Sequence, residues 1–104
     1  MIDPAGEGRE GRAAARIADG LSRAWQGDLD GALAAFDRAI AADPRSALAH
    51  LNRGLIWRRR GDLKKAEADL DRAVAYAPTS PQARFHRDRV LREAGAAGAA
   101  DLVE

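Results

Sequence analysis

The sequence predicts an all-α domain built from a helical repeat, and three observations support this prediction. Alanine, the strongest helix former, makes up about a quarter of the 104 residues. The β-branched residues that favour strands are few. The sequence also matches itself at a shift of 34 residues, a period that is typical of stacked helical hairpins. The length corresponds to a single small domain.

The repeat is visible in two long segments that share turn, core and helix-ending residues. The segment "GDLDGALAAFDRAIAADP" at 27–44 aligns with "GDLKKAEADLDRAVAYAP" at 61–78. Gly-Asp-Leu, Asp-Arg-Ala and Pro all stay in register, which the high alanine content alone does not explain. The match predicts one domain over 12–104, preceded by a flexible segment over 1–11. Its repeat units are expected at about 13–46 and 47–80, with a partial third unit at 81–104.

Turn residues predict where the helices begin and end. Gly27, Gly61 and Gly95 suit the position just after a helix, where the backbone needs φ > 0. Asp28 and Asp62 are then placed to cap the N-terminus of the next helix. We therefore expect helices at about 12–26, 29–42, 47–60, 63–76 and 81–94, followed by at most a short frayed helix over 98–104.

The second helix of each unit has an apolar face and a clear end. Apolar residues recur at steps of three and four, which is the spacing of one helix face. Pro44 and Pro78 end these helices, and Ser46 and Ser80 are candidate N-caps for the helices that follow. The predicted core positions are Leu29, Ala32, Phe36, Ala39 and Ile40 in the first unit and Leu63, Ala66, Leu70, Ala73 and Val74 in the second.

With these positions the chain resembles the tetratricopeptide repeat (TPR) family, whose unit is a helix–turn–helix of 34 residues. The second unit matches the family pattern of small, large apolar and proline positions best. The resemblance implies a solenoid of about two and a half repeats in a right-handed superhelix. The matching residues of the second unit are Gly54, Trp57, Ala66, Leu70, Ala73 and Pro78.

Each unit also departs from the family pattern. In the second unit His50 and Arg53 stand where large apolar residues are expected, and in the third unit Asp88 replaces a small residue. The first helix of the first unit is the weakest match among the complete helices. Its polar departures are Arg16, Asp19 and Arg23.

The resemblance implies that the first helix of each unit lines a concave groove, and helical spacing groups the same residues into one stripe per helix. We expect this groove to be apolar at one end and along its middle, and rich in arginine towards the ends of the second and third of these helices. The candidate partner-binding residues are Trp25, Leu48, Asn52, Leu55, Arg58, Arg59, Phe85, His86, Arg89 and Arg92. The remaining groove positions are Ala14, Ile17, Ala18, Leu21, Ala24, Leu51, Gln82 and Glu93.

Two features bear on what this groove holds. Asn52 matches the asparagine with which related repeats hold a peptide backbone, a task that suits an amide because it both donates and accepts. The family's carboxylate clamp also needs basic and amide side chains at positions that here hold Ile17, Leu21, Gln82 and His86. The sequence therefore argues against a clamp for chaperone tails. For Ile17, Leu21 and Leu51, packing between helices explains the residue equally well.

Composition excludes several function classes. Lys+Arg 17 against Asp+Glu 16 gives a net charge of +1, which argues against a nucleic-acid binder. There is no cysteine, no phosphate-binding loop and no nucleophile motif, so we expect neither catalysis nor a cofactor. No apolar run approaches ~20 residues and the first residues lack the apolar centre of a signal peptide, so we expect a cytoplasmic protein without a membrane partner.

Three weaker motifs have simple interpretations. His50 is a possible general base, but a helix residue that fills a large-residue position explains it better. The sequence "DLDG" at 28–31 lacks the later ligands of a calcium loop and fits helix capping. The basic run "RRRG" at 58–61 fits a solvated helix end, where positive charge is favourable.

Together these observations predict a non-enzymatic module that binds a peptide or helix of another protein, with an acidic partner suiting the arginines. An alternative is self-association. About three repeats are needed to bury a solenoid core, and this chain has fewer, so exposed end faces that include Phe85 are expected to support a weak homodimer.

Overall fold

The computed structural model describes the backbone of residues 4–103 and the side chains of residues 8–98. This part of the chain forms five helices and no strand, which confirms the predicted all-α class. The helices are α1 (Pro4–Trp25), α2 (Leu29–Ala42), α3 (Ala47–Arg59), α4 (Leu63–Tyr76) and α5 (Pro81–Val103).

The turns inside the two hairpins have the predicted form. Gly27 and Gly61 both have φ of 84°, the left-handed conformation that a residue without Cβ adopts at little cost. Directly after them, Asp28 Oδ1 accepts a hydrogen bond from the Gly31 amide at 2.9 Å, and Asp62 Oδ1 accepts one from the Lys65 amide at 3.1 Å. In each hairpin, a glycine that ends the first helix and an aspartate that caps the second are therefore adjacent in sequence.

The turns between the hairpins use serine caps. Ser46 Oγ accepts from the Ala49 amide at 3.1 Å, and Ser80 Oγ accepts from the Ala83 amide at 3.2 Å. The preceding helices end two residues before Pro44 and Pro78, as expected because the residue before proline avoids the helical region.

The helices stack in sequence order around two apolar clusters. Consecutive helices pack against each other, while α1 also contacts α3 and α3 also contacts α5. The first cluster joins α1, α2 and α3 around Phe36, and the second joins α3, α4 and α5 around Leu70 and Val90. Trp57 packs against both clusters, so α3 connects the two repeats.

Small residues allow the close helix contacts in each hairpin. A Cβ added to Gly20 would overlap the ring of the fully buried Phe36, and one added to Gly54 would lie 3.0 Å from Leu70 Cγ. Six of the ten predicted core residues, Ala32, Phe36, Ala39, Ala66, Leu70 and Ala73, are 0 % exposed. The other four, Leu29, Ile40, Leu63 and Val74, are half-buried and pack against the edges of the two clusters.

Two helix boundaries differ from those expected. Helix α1 begins at Pro4, eight residues before the predicted start at 12, and α5 continues through Gly95 to Val103. Gly95 is therefore an interior helix residue and does not end the helix. Glycine costs a helix about 1 kcal/mol relative to alanine but does not forbid it, and proline is favoured at a first helical position.

The turn geometry predicts a difference between glycine positions. Gly27→Val and Gly61→Val should each lower the free energy of unfolding by about 1 kcal/mol or more, because a β-branched residue resists positive φ. Gly95→Ala is the matched control. Its added Cβ would meet no atom within 4 Å, so it should leave stability unchanged or raise it. Urea denaturation followed by circular dichroism measures all three, and unchanged midpoints for both valine variants would contradict the assignment.

Candidate functional site

The first helices of the repeat units, α1, α3 and α5, form one layer because each contacts the next in that order. The groove predicted from the sequence would lie on the outer surface of this layer. All ten candidate partner-binding residues are exposed or half-buried, and the large apolar ones include Trp25 at 92 %, Phe85 at 57 % and Leu48 at 52 % exposure. Ile17 and Leu51 are buried in the apolar clusters, so at these two positions packing is the correct interpretation.

One part of the groove is an apolar depression between α1 and α3. It is lined by Leu21, Ala24, Trp25 and Arg59 and has a volume of about 480 Å³. Arg59 Nη1 donates a hydrogen bond to the carbonyl oxygen of Ala24 at 3.3 Å. The guanidinium is thereby placed at the C-terminal end of α1, where positive charge is favourable, beside the exposed Trp25 ring.

A second part is a charged cluster between α3 and α5. Arg58 Nε donates to Glu93 Oε1 at 2.7 Å, and Arg89 Nε lies 3.5 Å from the same oxygen. Two of the four arginines predicted for the helix ends, Arg58 and Arg89, are therefore brought together, and one carboxylate partly neutralises them. The family resemblance placed Glu93 in the groove, but the sequence did not predict its ion pairs with the two arginines.

His86 lies beside this cluster and is affected by it. Burial lowers the pKa of His86 below its ordinary value, and the positive charges of Arg89 and Arg58 lower it further. Its Nδ1 is buried without a hydrogen-bond partner among the described residues, and its ring meets that of Phe85 edge to face at 5.3 Å. The neutral imidazole therefore presents an apolar and aromatic surface next to the two arginines.

The remaining candidates differ in what they contact. Asn52 Nδ2 donates to the Leu48 carbonyl of its own helix at 2.9 Å, so its amide nitrogen is already engaged. Leu55 packs against the second apolar cluster. Within the described residues, no hydrogen bond or ion pair joins Arg92 to the other groove residues.

The basic run at 58–60 is not a simple solvated helix end. Its three consecutive arginines reach three different helices. Arg58 pairs with Glu93 of α5, Arg59 with the last turn of α1, and Arg60 with Asp30 of α2. These contacts come from tertiary structure, and the run of like charges gave no sign of them.

Sequence analysis also missed a buried polar network centred on Asp69 of α4. The Asp69 side chain is 2 % exposed and accepts hydrogen bonds from Arg53 Nε at 2.8 Å and Arg53 Nη2 at 2.7 Å. His50 Nδ1 lies 3.4 Å from Asp69 Oδ1, while Arg53 Nη1 donates to Asp37 of α2 at 3.0 Å. His50 and Arg53 are the two residues of this unit that depart from the family pattern. Two polar residues at positions that are normally apolar are the sequence signal that could have predicted a buried acidic partner.

The network determines the charge state of Asp69. Burial by itself would raise the pKa of this carboxyl, but hydrogen bonds from Arg53 and His50 and the positive charge of Arg53 outweigh it, and the pKa is lowered from 3.8 to about 2. His50 Nε2 lies 3.0 Å from the Pro44 carbonyl oxygen, so both ring nitrogens face protein groups. This arrangement holds α2, α3 and α4 in register.

The network predicts a specific pH dependence of stability. Because the folded pKa of Asp69 is depressed, its contribution of about 2 kcal/mol is present above pH 4 and is lost as the pH falls towards 2. Asp69→Asn should cost about 3 kcal/mol at neutral pH, because it leaves the half-buried Arg53 guanidinium without its main partner. The deficit should shrink below pH 4.

Asp71→Asn is the matched control for this prediction, because Asp71 is an exposed carboxylate of the same helix. Urea denaturation of both variants from pH 7 to pH 2 makes the comparison. Equal stability of the two at pH 7 would show that the network does not stabilise the fold.

The described residues provide neither a membrane-spanning helix nor a metal-binding cluster. None of the described helices has the length and apolar character needed to cross a membrane. Among the described side chains, no cluster of three or more His, Cys, Asp or Glu is arranged to hold a metal ion.

Comparisons with known proteins agree with this architecture. The second TPR of Spaghetti (RPAP3), solved bound to the HSP90 peptide SRMEEVD, superposes with a TM-score of 0.82. The alignment covers 97 % of this chain and 92 % of that chain at 22 % sequence identity, so the likeness is one of fold. No curated protein matches the sequence. A profile of the tetratricopeptide repeat family matches residues 17–83, well over half of the chain, and the protein therefore belongs to the tetratricopeptide repeat family.

Proposed function

We propose that this protein is a non-catalytic interaction module that binds an extended or helical segment of another protein in the groove of α1, α3 and α5. The observation that carries the proposal is the exposure of large apolar side chains in this groove, with Trp25, Phe85 and Leu48 all more than half exposed. Exposing large apolar side chains to water is unfavourable in free energy, and clusters of such side chains are characteristic of binding surfaces. The structurally similar TPR of RPAP3 is also a peptide-bound domain.

The groove geometry suggests what the ligand carries. The depression beside Trp25 and Arg59 suits a large apolar side chain, because Leu21 and Ala24 form the rest of its wall. The cluster at the other end suits an acidic side chain, because Arg58 and Arg89 converge there. A ligand with both features fits better than one that is recognised by its terminal carboxylate. The positions that form the carboxylate clamp in related repeats hold Ile17, Leu21, Gln82 and His86 in this protein.

The His50–Asp69 pair, the one histidine–aspartate pair among the described side chains, does not support an enzyme. His50 is 4 % exposed and Asp69 is 1 % exposed, so neither is accessible to a substrate. Their polar atoms contact Arg53, Arg72 and the Pro44 carbonyl. Their arrangement is that of a structural ion-pair network, which supports the non-catalytic assignment.

Groove substitutions test the proposal. Peptides that bind the unmodified protein are first selected from a random phage-displayed library, and the binding site is mapped by amide chemical-shift changes. Asn52→Ala and Arg89→Glu should then weaken binding several-fold, because they remove a polar contact and reverse a charge in the groove. Calorimetry measures the affinity, and circular dichroism confirms that helicity is retained.

Arg84→Glu is the control for Arg89→Glu, because Arg84 is an exposed arginine of α5 outside the groove stripe. It should bind the selected peptides like the unmodified protein. The affinity loss at Arg89 should also diminish with added salt, since exposed charges are screened within ~8–10 Å. Normal binding by both groove variants, or shift changes confined to α2 and α4, would exclude the groove as the site.

A second candidate function is self-association through α5. Phe85 is 57 % exposed and Leu91 is 42 % exposed on this helix, which is the last of the five described helices. Leu91 occupies the repeat position of Trp57, which in the second unit packs into both apolar clusters. The same position is covered in the second unit, and a second copy of the chain would cover Leu91.

Light scattering coupled to chromatography tests this candidate. We expect weak homodimerisation that grows with concentration, and both Phe85→Glu and Leu91→Glu should return the protein to monomer because a carboxylate would be buried at the contact. Arg84→Glu is again the control and should leave the dimer in place. A mass that stays at 11.1 kDa from micromolar to millimolar concentration would exclude the dimer.

A further inference from the structure

Glu93 is the only acidic residue among the groove positions, and it occupies a distinctive place. Its Oε1 atom contacts two arginines that come from two different helices, Arg58 of α3 and Arg89 of α5. The Arg58 contact is a short charge-assisted hydrogen bond of 2.7 Å, and the Arg89 nitrogen lies 3.5 Å away. The two guanidinium groups therefore already hold a carboxylate, and that carboxylate belongs to the protein itself.

These ion pairs are accessible to exchange. The Arg58, Arg89 and Glu93 side chains are 25 %, 42 % and 36 % exposed, so solvent reaches all three. Partly exposed ion pairs of this kind contribute little to stability, which makes the Glu93 carboxylate replaceable by another carboxylate of similar geometry. The buried Asp69 contrasts with it, because its 2 % exposure leaves no path for exchange.

We propose that the Arg58–Arg89 carboxylate site, formed by Arg58 and Arg89 and occupied by Glu93, is the docking position for a glutamate or aspartate side chain of the bound partner. Glu93 is then an intramolecular competitor, which the ligand displaces from the two guanidinium groups. The inference rests on the proposed function, since the site lies in the groove. It specifies in addition that the ligand is acidic and that Glu93 lowers the affinity of the protein for it.

The surroundings of the site favour an acidic ligand over a neutral one. On α5, His86 and Arg89 line the site and Arg92 lies in the next turn, while Arg58 approaches from the end of α3. The only carboxylate among these groove residues is that of Glu93. When it is displaced, a ligand carboxylate meets two arginines, whereas a neutral side chain leaves both without a counter-charge.

The probes for the test are acetyl-Glu-Glu-Glu-amide and its uncharged counterpart acetyl-Gln-Gln-Gln-amide. Titrations at low salt are followed by the arginine Nε–Hε resonances in NMR spectra. Glu93→Gln removes the competing charge while keeping the side-chain shape, and it should bind the acidic tripeptide about fivefold more tightly than the unmodified protein does. The Gln tripeptide should show no such gain. The shifted resonances should be those of Arg58 and Arg89.

Two further variants separate this inference from simpler explanations. Asp88→Asn removes the same charge from α5 at an exposed position outside the groove, so it should leave the affinity for the acidic tripeptide unchanged. Adding Arg89→Gln to Glu93→Gln should abolish the gain. Glu93→Ala gives a second removal of the competitor, and circular dichroism confirms that each variant is folded.

The outcomes distinguish this inference from the proposed function. An equal gain in Asp88→Asn would reduce the effect to net charge and overturn the inference. So would an unchanged affinity in both Glu93 variants, even if library peptides bind the groove, and the proposed function would then stand alone. If no library peptide binds but Glu93→Gln takes the acidic tripeptide at Arg58 and Arg89, the carboxylate site holds and the broader proposal fails.

Discussion

The packing of α3 into both apolar clusters is the interaction on which the rest of this structure depends. Neither hairpin alone encloses a core, because each has one apolar face that another helix must cover. Helix α3 covers the first hairpin with Ala49 and Ile56 and begins the second with Leu51, while Trp57 contacts both clusters. The relative placement of α1, α3 and α5, and so of the surface proposed to bind a partner, follows from this contact.

The Asp69 hydrogen-bond network determines how α3 is aligned with α2 and α4. Apolar contacts are tolerant of small shifts between helices, but Arg53 reaches Asp37 of α2 and Asp69 of α4 at the same time, which requires one particular register. A buried carboxylate that loses its partners is costly. The departures at His50 and Arg53 from the usual apolar residues are therefore compensated as a group, and the second unit keeps its fold despite them.

Charge in the groove is distributed differently from what a count of arginines suggests. Five of the candidate residues are basic or imidazole side chains, but Arg58 and Arg89 share the Glu93 carboxylate and Arg59 contacts the end of α1. The apolar depression and the charged cluster are consequently separate features on opposite sides of α3. A segment that engages both would need to cross this helix, which is the middle helix of the layer.

The sequence by itself determined the repeat, the hairpin turns and the core, because these depend on local physics and on a 34-residue period. Gly27 and Asp28 specify a turn through backbone conformation and capping, and neither needs a distant partner. The extension of α5 past Gly95 could not be predicted, since one glycine changes helix stability by only about 1 kcal/mol. Only the tertiary structure decided which charges meet. Arg58 with Glu93 and Arg53 with Asp69 are separated by 35 and 16 residues, and long side chains find such partners only after the helices are packed.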